Sequence, residues 1–261
     1  MKWVRNLFSG PRAQRLDPAE AMARAERVFA EGDVATALHL WAALAHGGVP
    51  RAQASIGACF AEAIGVERND DLALKWLTLA ADAGDPVGQR NLAALYFKGQ
   101  GVTTDYARAA DLYRLAAEAG DAIAQDMLSW MLLEGEVMPL DAMAARRWAL
   151  AAAEQGVASA MTRLGMLYHN ALGVERDPAK AAEWWTKAAA GGDPDGQAML
   201  GAALCLGAGV LWDPIAALGW LLRAKKGGSA LADPFIQSAR NALTGEQIAE
   251  IEANVAREAV A

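Results

Sequence analysis

Apolar and small residues return along this chain in two nested rhythms. Within residues 157–192, Leu164, Gly165 and Tyr168 share one face at helical spacing, and Ala181, Trp184, Ala188 and Ala189 recur at i, i+3, i+7 and i+8. The pattern predicts a helix over about 159–170 and a second one after Asp177. Asp177 is placed to cap that second helix, with Pro178 in its first turn, where no N–H is needed. Small Gly165 lets a neighbouring helix approach closely, and Tyr168 fills the space beside it. Residues 171–176 form the connecting loop, in which Gly173 can take backbone angles closed to other residues. Gly192 is expected to end the second helix as a left-handed C-terminal residue. Cap-plus-proline pairs recur as Asp17-Pro18, Asp85-Pro86, Asp193-Pro194 and Asp233-Pro234.

The outer rhythm has a step of 36 residues. It carries Gly48, Gly84, Gly120, Gly156, Gly192 and Gly228. In register with them run Ala37, Ala73, Ala109, Ala145, Ala181 and Ala217. A third column, Asp33, Asn69, Asp105, Asp141, Asp177 and Asp213, is carboxylate or amide throughout. A strict period of this length is the mark of a solenoid whose units bury their apolar faces only against neighbours. The expected fold is therefore all-α, a right-handed α/α solenoid of helix-turn-helix repeats. Its expected parts are a basic, aromatic tail (1–16), an N-terminal capping partial repeat (17–48), five repeats (49–228) and C-terminal capping helices (229–261). At the far end, Thr244 and Gln247 form a capping-box signature, followed by an Ile248, Ile251, Val255 stripe suited to closing the core.

The motif Leu164-Gly165, Tyr168, Gly173-Val174, Asp177, Ala181, Trp184, Ala188-Ala189, Gly192 resembles the Sel-one-like repeat, a relative of the tetratricopeptide repeat with a longer inter-helix loop. It recurs as Leu92-Ala93, Tyr96, Gly101-Val102, Asp105, Gly120, and as Leu200-Gly201, Gly209-Val210, Asp213, Trp220, Gly228. The resemblance spans about residues 17–243. It implies a non-enzymatic scaffold for protein partners, with the first helix of each repeat on the concave side. One cysteine-rich, secreted branch of the family is linked to β-lactam binding. This chain lacks that branch's paired cysteines, so the activity is not carried over. The unit 121–156 departs from the pattern, with Val137-Met138 in place of Gly-Val and Leu132 in place of the tyrosine, so its loop is expected to bend differently.

Charge narrows the partners. The net charge is −7, but residues 1–16 carry Lys2, Arg5, Arg12 and Arg15 and no acid, which leaves 20 basic against 31 acidic residues in the remainder. A body of net −11 repels phosphate backbones and argues against nucleic acid. Cys59 and Cys205 are about four repeats apart, too far for the roughly 7 Å that a disulfide spans, so free thiols and a reducing compartment are expected. No 18-residue apolar run or signal-peptide core is present. A cytoplasmic location follows as an expectation. Heavy Ala, Arg and Gly use with seven lysines points to a GC-rich bacterial genome.

On the outward side of the first helices, the step of 36 stacks two columns: Ala58, Ala94, Trp130, Met166, Ala202, and Ser55, Asn91, Met127, Arg163, Met199. An aromatic anchor among flexible thioethers suits an adaptable peptide groove. The candidate partner-binding set is Asn91, Met127, Trp130, Arg163, Met166, His169 and Met199. The alternative is that Trp130 only packs on Met166. The second-helix residues Trp76, Trp148, Trp184 and Trp220, in one column with Leu40 and Leu112, are expected in the core.

The other histidines, His39 and His46, have no cysteine or acid at ligand spacing, so no metal is expected. No catalytic constellation or cofactor motif appears. Trp3, Val4, Leu7 and Phe8 would share one side of a short helix. They offer a docking arm or a weak membrane-surface foot at the inner membrane, against the alternative of a plain tail. Leu211-Trp212 are unusually apolar for a loop, and either pack under the C-terminal cap or mark a contact surface.

Overall fold

The column of short polar residues at steps of 36 starts a helix each time it appears. In the computed structural model, which describes residues 17–258, Asp33, Asn69, Asp105, Asp141, Asp177 and Asp213 each accept a hydrogen bond from the backbone N–H three residues on. The acceptors satisfy donors that a helix N-terminus otherwise leaves open. The first repeat-like pair is α1 (Pro18–Ala30) and α2 (Val34–His46). Then follow α3 (Pro50–Glu62), α4 (Asp70–Asp82), α5 (Pro86–Lys98), α6 (Tyr106–Glu118) and α7 (Ala122–Glu134). The chain continues with α8 (Ala142–Glu154), α9 (Ala158–Asn170), α10 (Pro178–Ala190), α11 (Pro194–Leu206) and α12 (Pro214–Lys226). A 3₁₀ turn (Ala230–Ala232) leads to α13 (Asp233–Asn241) and α14 (Gly245–Arg257). The described residues contain no strand. The fold is an all-α solenoid.

The glycine column ends the second helices. In α10 the chain turns at Gly192, with φ +84°. There Asp193 N–H donates to the Ala188 carbonyl and Gly192 N–H to that of Ala189, a Schellman pairing that a Cβ would disfavour. The first helices end in a left-handed residue as well. It is Gly99, Gly135 and Gly207 in three cases, but Ala63 and Ala171, both at φ 56°, in the other two. In the divergent repeat, Gly135 is left-handed while Val137 is not, so this loop does take its own path.

The chain divides into two compact units, Met1–Ala124 and Gln125–Ala261. The core of the first gathers Trp41, Phe60, Trp76, Leu77, Leu92 and Leu95. That of the second is built from Leu164, Leu167, Trp185, Leu200, Leu218 and Leu221, with Ile251 of the C-terminal helix.

Packing in both follows one rule, in which a residue on a first helix with little or no side chain stands opposite the innermost residue of the second helix, twenty positions on. A methyl group placed on Gly57 would lie 2.6 Å from Leu77 Cγ, on Gly201 2.7 Å from Leu221 Cγ, and on Gly165 2.2 Å from Trp185 Nε1. The same two positions hold Ala93 and Tyr113, then Ser129 and Ala149. The innermost column is thus Trp41, Leu77, Tyr113, Ala149, Trp185 and Leu221, each at most 4 % exposed. This corrects the expectation for the tryptophans. Trp76 is buried, but Trp148, Trp184 and Trp220 are half-buried, because adjacent helix positions lie about 100° apart. Each of those three indoles lies under a cation instead: Arg147, Lys187 and Arg223, 4.3–5.2 Å from the rings.

The ends are closed differently. Thr244 and Gln247 make both bonds of the capping box, and Ile251 and Val255 are buried behind them. Asp233 is not a cap. It is the first residue of α13 and accepts from Lys225 Nζ at 2.8 Å, because the 3₁₀ turn before it already starts the helical path. Asp17 holds the N-cap position of α1 but makes no side-chain cap bond.

Candidate functional site

From α3 to α11 each first helix is tied to the next by a polar contact across its outward face, and these contacts frame the candidate surface. In the unit that ends at Ala124, Arg51 Nε donates to Asp85 Oδ2 at 2.8 Å and Arg90 Nη1 to Asp121 Oδ2 at 2.9 Å. Both carboxylates also accept a backbone N–H at the start of the following helix, from Gly88 and Ala124. Asn91 belongs here, half-buried, with its Oδ1 accepting from Arg90 Nε at 3.2 Å.

The remaining six candidate residues fall in the unit Gln125–Ala261, on α7, α9 and α11. Val157 takes the place of the capping carboxylate before α9, so the tie comes from the preceding helix. Asp126, only 9 % exposed, accepts from Ser159 Oγ at 2.7 Å and from Arg163 Nη2 at 3.0 Å. Between α9 and α11 the tie is Thr162 Oγ1 donating to Asp193 Oδ2 at 2.6 Å.

Beside the Asp126–Arg163 pair, one turn further along each helix, stand Trp130 on α7 and Met166 on α9. Met166 is 40 % exposed, whereas Trp130, Met127, His169 and Met199 are half-buried. Met199 partly belongs to the core around Trp185 and Leu200, and His169 packs its ring 5.4 Å from that of Trp185. The face is thus a mostly apolar strip whose exposed element is a flexible thioether, ended on one side by a neutralised ion pair. Two polar atoms in it, Arg163 Nε and His169 Nδ1, are buried without a hydrogen-bond partner.

Sequence reasoning placed Arg163 on this face but not the bond it makes with Asp126. Ser159 and Thr162 it missed. The signal was present in the column one position earlier, Ala54, Arg90, Asp126, Thr162, Ala198, where polar residues interrupt an otherwise buried alanine track. Tyr168 faces another way, accepting from Arg146 Nη2 at 3.2 Å with the Lys180 ammonium 5.5 Å from its ring.

Other candidate chemistry is thinner. Among the described residues no cluster of three or more His, Cys, Asp or Glu could hold a metal ion. Cys59 and Cys205 are free, and burial pushes the Cys59 thiol up to about 11, which keeps it protonated at neutral pH. His46 is exposed and stands edge-on to Trp76 at 5.2 Å. No helix of the described residues is long and apolar enough to cross a membrane. The suggested arm of Trp3, Val4, Leu7 and Phe8 lies outside the described residues.

Comparison with protein families matches the Sel1 repeat five times in tandem, over residues 50–85, 86–121, 122–157, 158–193 and 194–229. A comparison with curated proteins finds no match. Among solved structures, a Sel1 repeat protein from Oxalobacter formigenes is 28% identical, with TM-score 0.68, over 81% of this chain and 87% of that one. A protective antigen of uropathogenic Escherichia coli with an SLR fold is also 28% identical, with TM-score 0.72, over 93% of this chain and 54% of the antigen. An immunity protein from Pseudomonas aeruginosa, 20% identical with TM-score 0.53 over 86% of each chain, shares the fold.

Proposed function

Because this chain belongs to the Sel1 repeat family, whose members are generally helical repeat scaffolds for protein interactions, we propose that it is a non-enzymatic adaptor. It binds a peptide or protein segment along the first-helix face, the side that lines the concavity in solenoids of this kind. In this reading residues 49–228 are the binding array, 17–48 and 229–261 its caps, and the protein works in the cytoplasm.

The observation that carries the reading is the strip on α7, α9 and α11. Met166 is exposed one turn beyond the Arg163–Asp126 pair, in the column that also holds Trp130. An apolar side chain of the bound segment seats against this flexible thioether and the indole. Such anchors typically carry about 2 kcal/mol or more of binding energy.

The test is direct. Peptides selected from a random library on the full-length protein should bind Trp130→Ala/Met166→Ala at least about 10-fold more weakly by calorimetry, with unchanged far-UV circular dichroism. Equal affinity for the folded variant would remove this face from the reading.

A further inference from the structure

The inter-helix loops stack on one another's helices, and the stack has an uncovered end. In four junctions the loop glycine two positions past the left-handed cap sits on the first turn of the preceding repeat's second helix. A methyl group on Gly65 would lie 2.4 Å from Val34, on Gly101 2.6 Å from Asp70, on Gly173 3.0 Å from Ala142, and on Gly209 2.0 Å from Pro178. The corresponding turn of the last repeat, Pro214-Ile215 of α12, precedes a 3₁₀ turn and capping helices that bring no such loop. Ile215 is 49% exposed there.

The loop leading into that turn faces solvent but is not polar. Leu206 is 67% exposed, Leu211 91% and Trp212 60%, which excludes packing under the C-terminal cap. Two other loops carry Glu67-Arg68 and Glu175-Arg176 where this one carries Leu211-Trp212. Arg68 folds back onto Asp70 at 2.9 Å and Arg176 onto the His169 carbonyl at 3.2 Å. Residues 206–212 bear no charge at all. Gly207, next to Leu206, lies against Trp212, and a methyl group placed on it would stand 3.7 Å from Trp212 Cβ. With Ile215 three positions on, these residues leave on the order of 500 Å² exposed, at the upper end of what monomers ordinarily show.

We infer that this patch is a self-association surface, and that its occupant is the same patch on a second copy of the chain. An isologous contact sets like against like. The one formal charge between Leu206 and Ile215 is Asp213, whose carboxylate is engaged by the Ala216 N–H, so little repels the patch from its own image although the chain as a whole is acidic. Two copies together bury on the order of 1,000 Å², the lower limit for a specific, reversible dimer. The contact is independent of the Trp130 face.

Sedimentation velocity of the full chain from about 1 to 200 µM should show a concentration-dependent shift to twice the monomer mass, with a midpoint in the tens of micromolar expected of a small interface. Leu211→Glu/Trp212→Arg installs the pair that two loops of this chain already accommodate, and Leu206→Lys perturbs the patch from its other edge. Each should remain monomeric throughout that range with an unchanged melting temperature, while Trp130→Ala should dimerise like the wild type. A wild type that stays monomeric, or variants that dimerise with its midpoint, would overturn the inference. Labelled Leu211→Glu/Trp212→Arg that still pairs with excess unlabelled wild type would overturn it too, since the patch would then be meeting a different surface.

Discussion

Substituting Gly165→Ala tests the packing rule at its tightest point. The added methyl would stand 2.2 Å from Trp185 Nε1 and 2.4 Å from Cδ1, where carbon contacts settle at about 3.5–4.0 Å. The indole must therefore retreat by more than about 1 Å. It has little room, being 2% exposed, and its Nε1 donates to the Thr162 carbonyl at 3.3 Å. Overpacking of this kind costs about 1–3 kcal/mol, and a buried donor pulled off its acceptor another ~1–3 kcal/mol. Alanine's better helix propensity returns about 1 kcal/mol. The expected net loss is about 1–5 kcal/mol, read as a lower urea midpoint by circular dichroism. The decisive comparison is Gly165→Ala in a Trp185→Ala background, which imitates the Ser129 and Ala149 pair found in another repeat. There the methyl has space, so the same substitution should be neutral or stabilising by up to ~1 kcal/mol. Equal cost in both backgrounds, or none in the wild type, would refute the account.

Two further outcomes follow from the caps. Ala171→Gly should raise stability by about 1 kcal/mol in the same urea assay, because Ala171 sits at φ 56°, where a Cβ is penalised; a lower midpoint would contradict this. The side chain and backbone of Thr36 hold the Asp33 carboxyl below its ordinary value, and the Lys180 N–H does the same for Asp177. A carboxyl depressed in the folded state contributes stability that is complete above its unfolded value of 3.8 and lost as pH falls through the folded value. Urea midpoints should therefore fall as pH drops below about 4, and Asp177→Asn, which keeps an acceptor without a titrating group, should flatten part of that slope. A slope unchanged in the variant would show that Asp177 plays no part in it.

Much of this architecture was legible because backbone chemistry repeats more strictly than packing does. Glycine and a short polar residue at fixed offsets do what few other residues can, so the 36-residue step located helix starts and ends before any contact was known. The identity of the innermost column was not legible. Trp184 and Trp185 are adjacent and equally apolar, and periodicity could not say which one faced inward; the clue was Gly165 twenty positions earlier, meaningful only once the two helices are laid together. The candidate surface was legible as a set of columns, yet Met199 and His169 prove partly engaged with the core around Trp185. Side chains at the seam between helices serve both faces, and a one-dimensional pattern assigns them to one.

The polar ties between first helices have a consequence for how freely the repeats could be exchanged. At Asp85, Asp121 and Asp193 the carboxylate caps the later first helix and reaches back to its donor on the earlier one. At the α7–α9 junction the carboxylate is Asp126 of the earlier repeat, and the cation, Arg163, comes from the later one. The connector is therefore reversed at that joint, as it is again where Asp195 of α11 accepts from Ser229 of the cap. A repeat of the Arg90 kind, spliced in front of α9, would bring its guanidinium to Val157 and leave Arg163 without its acid. The modules look alike in their apolar interiors, but they are keyed, and it is the key that fixes the order in which they can be strung.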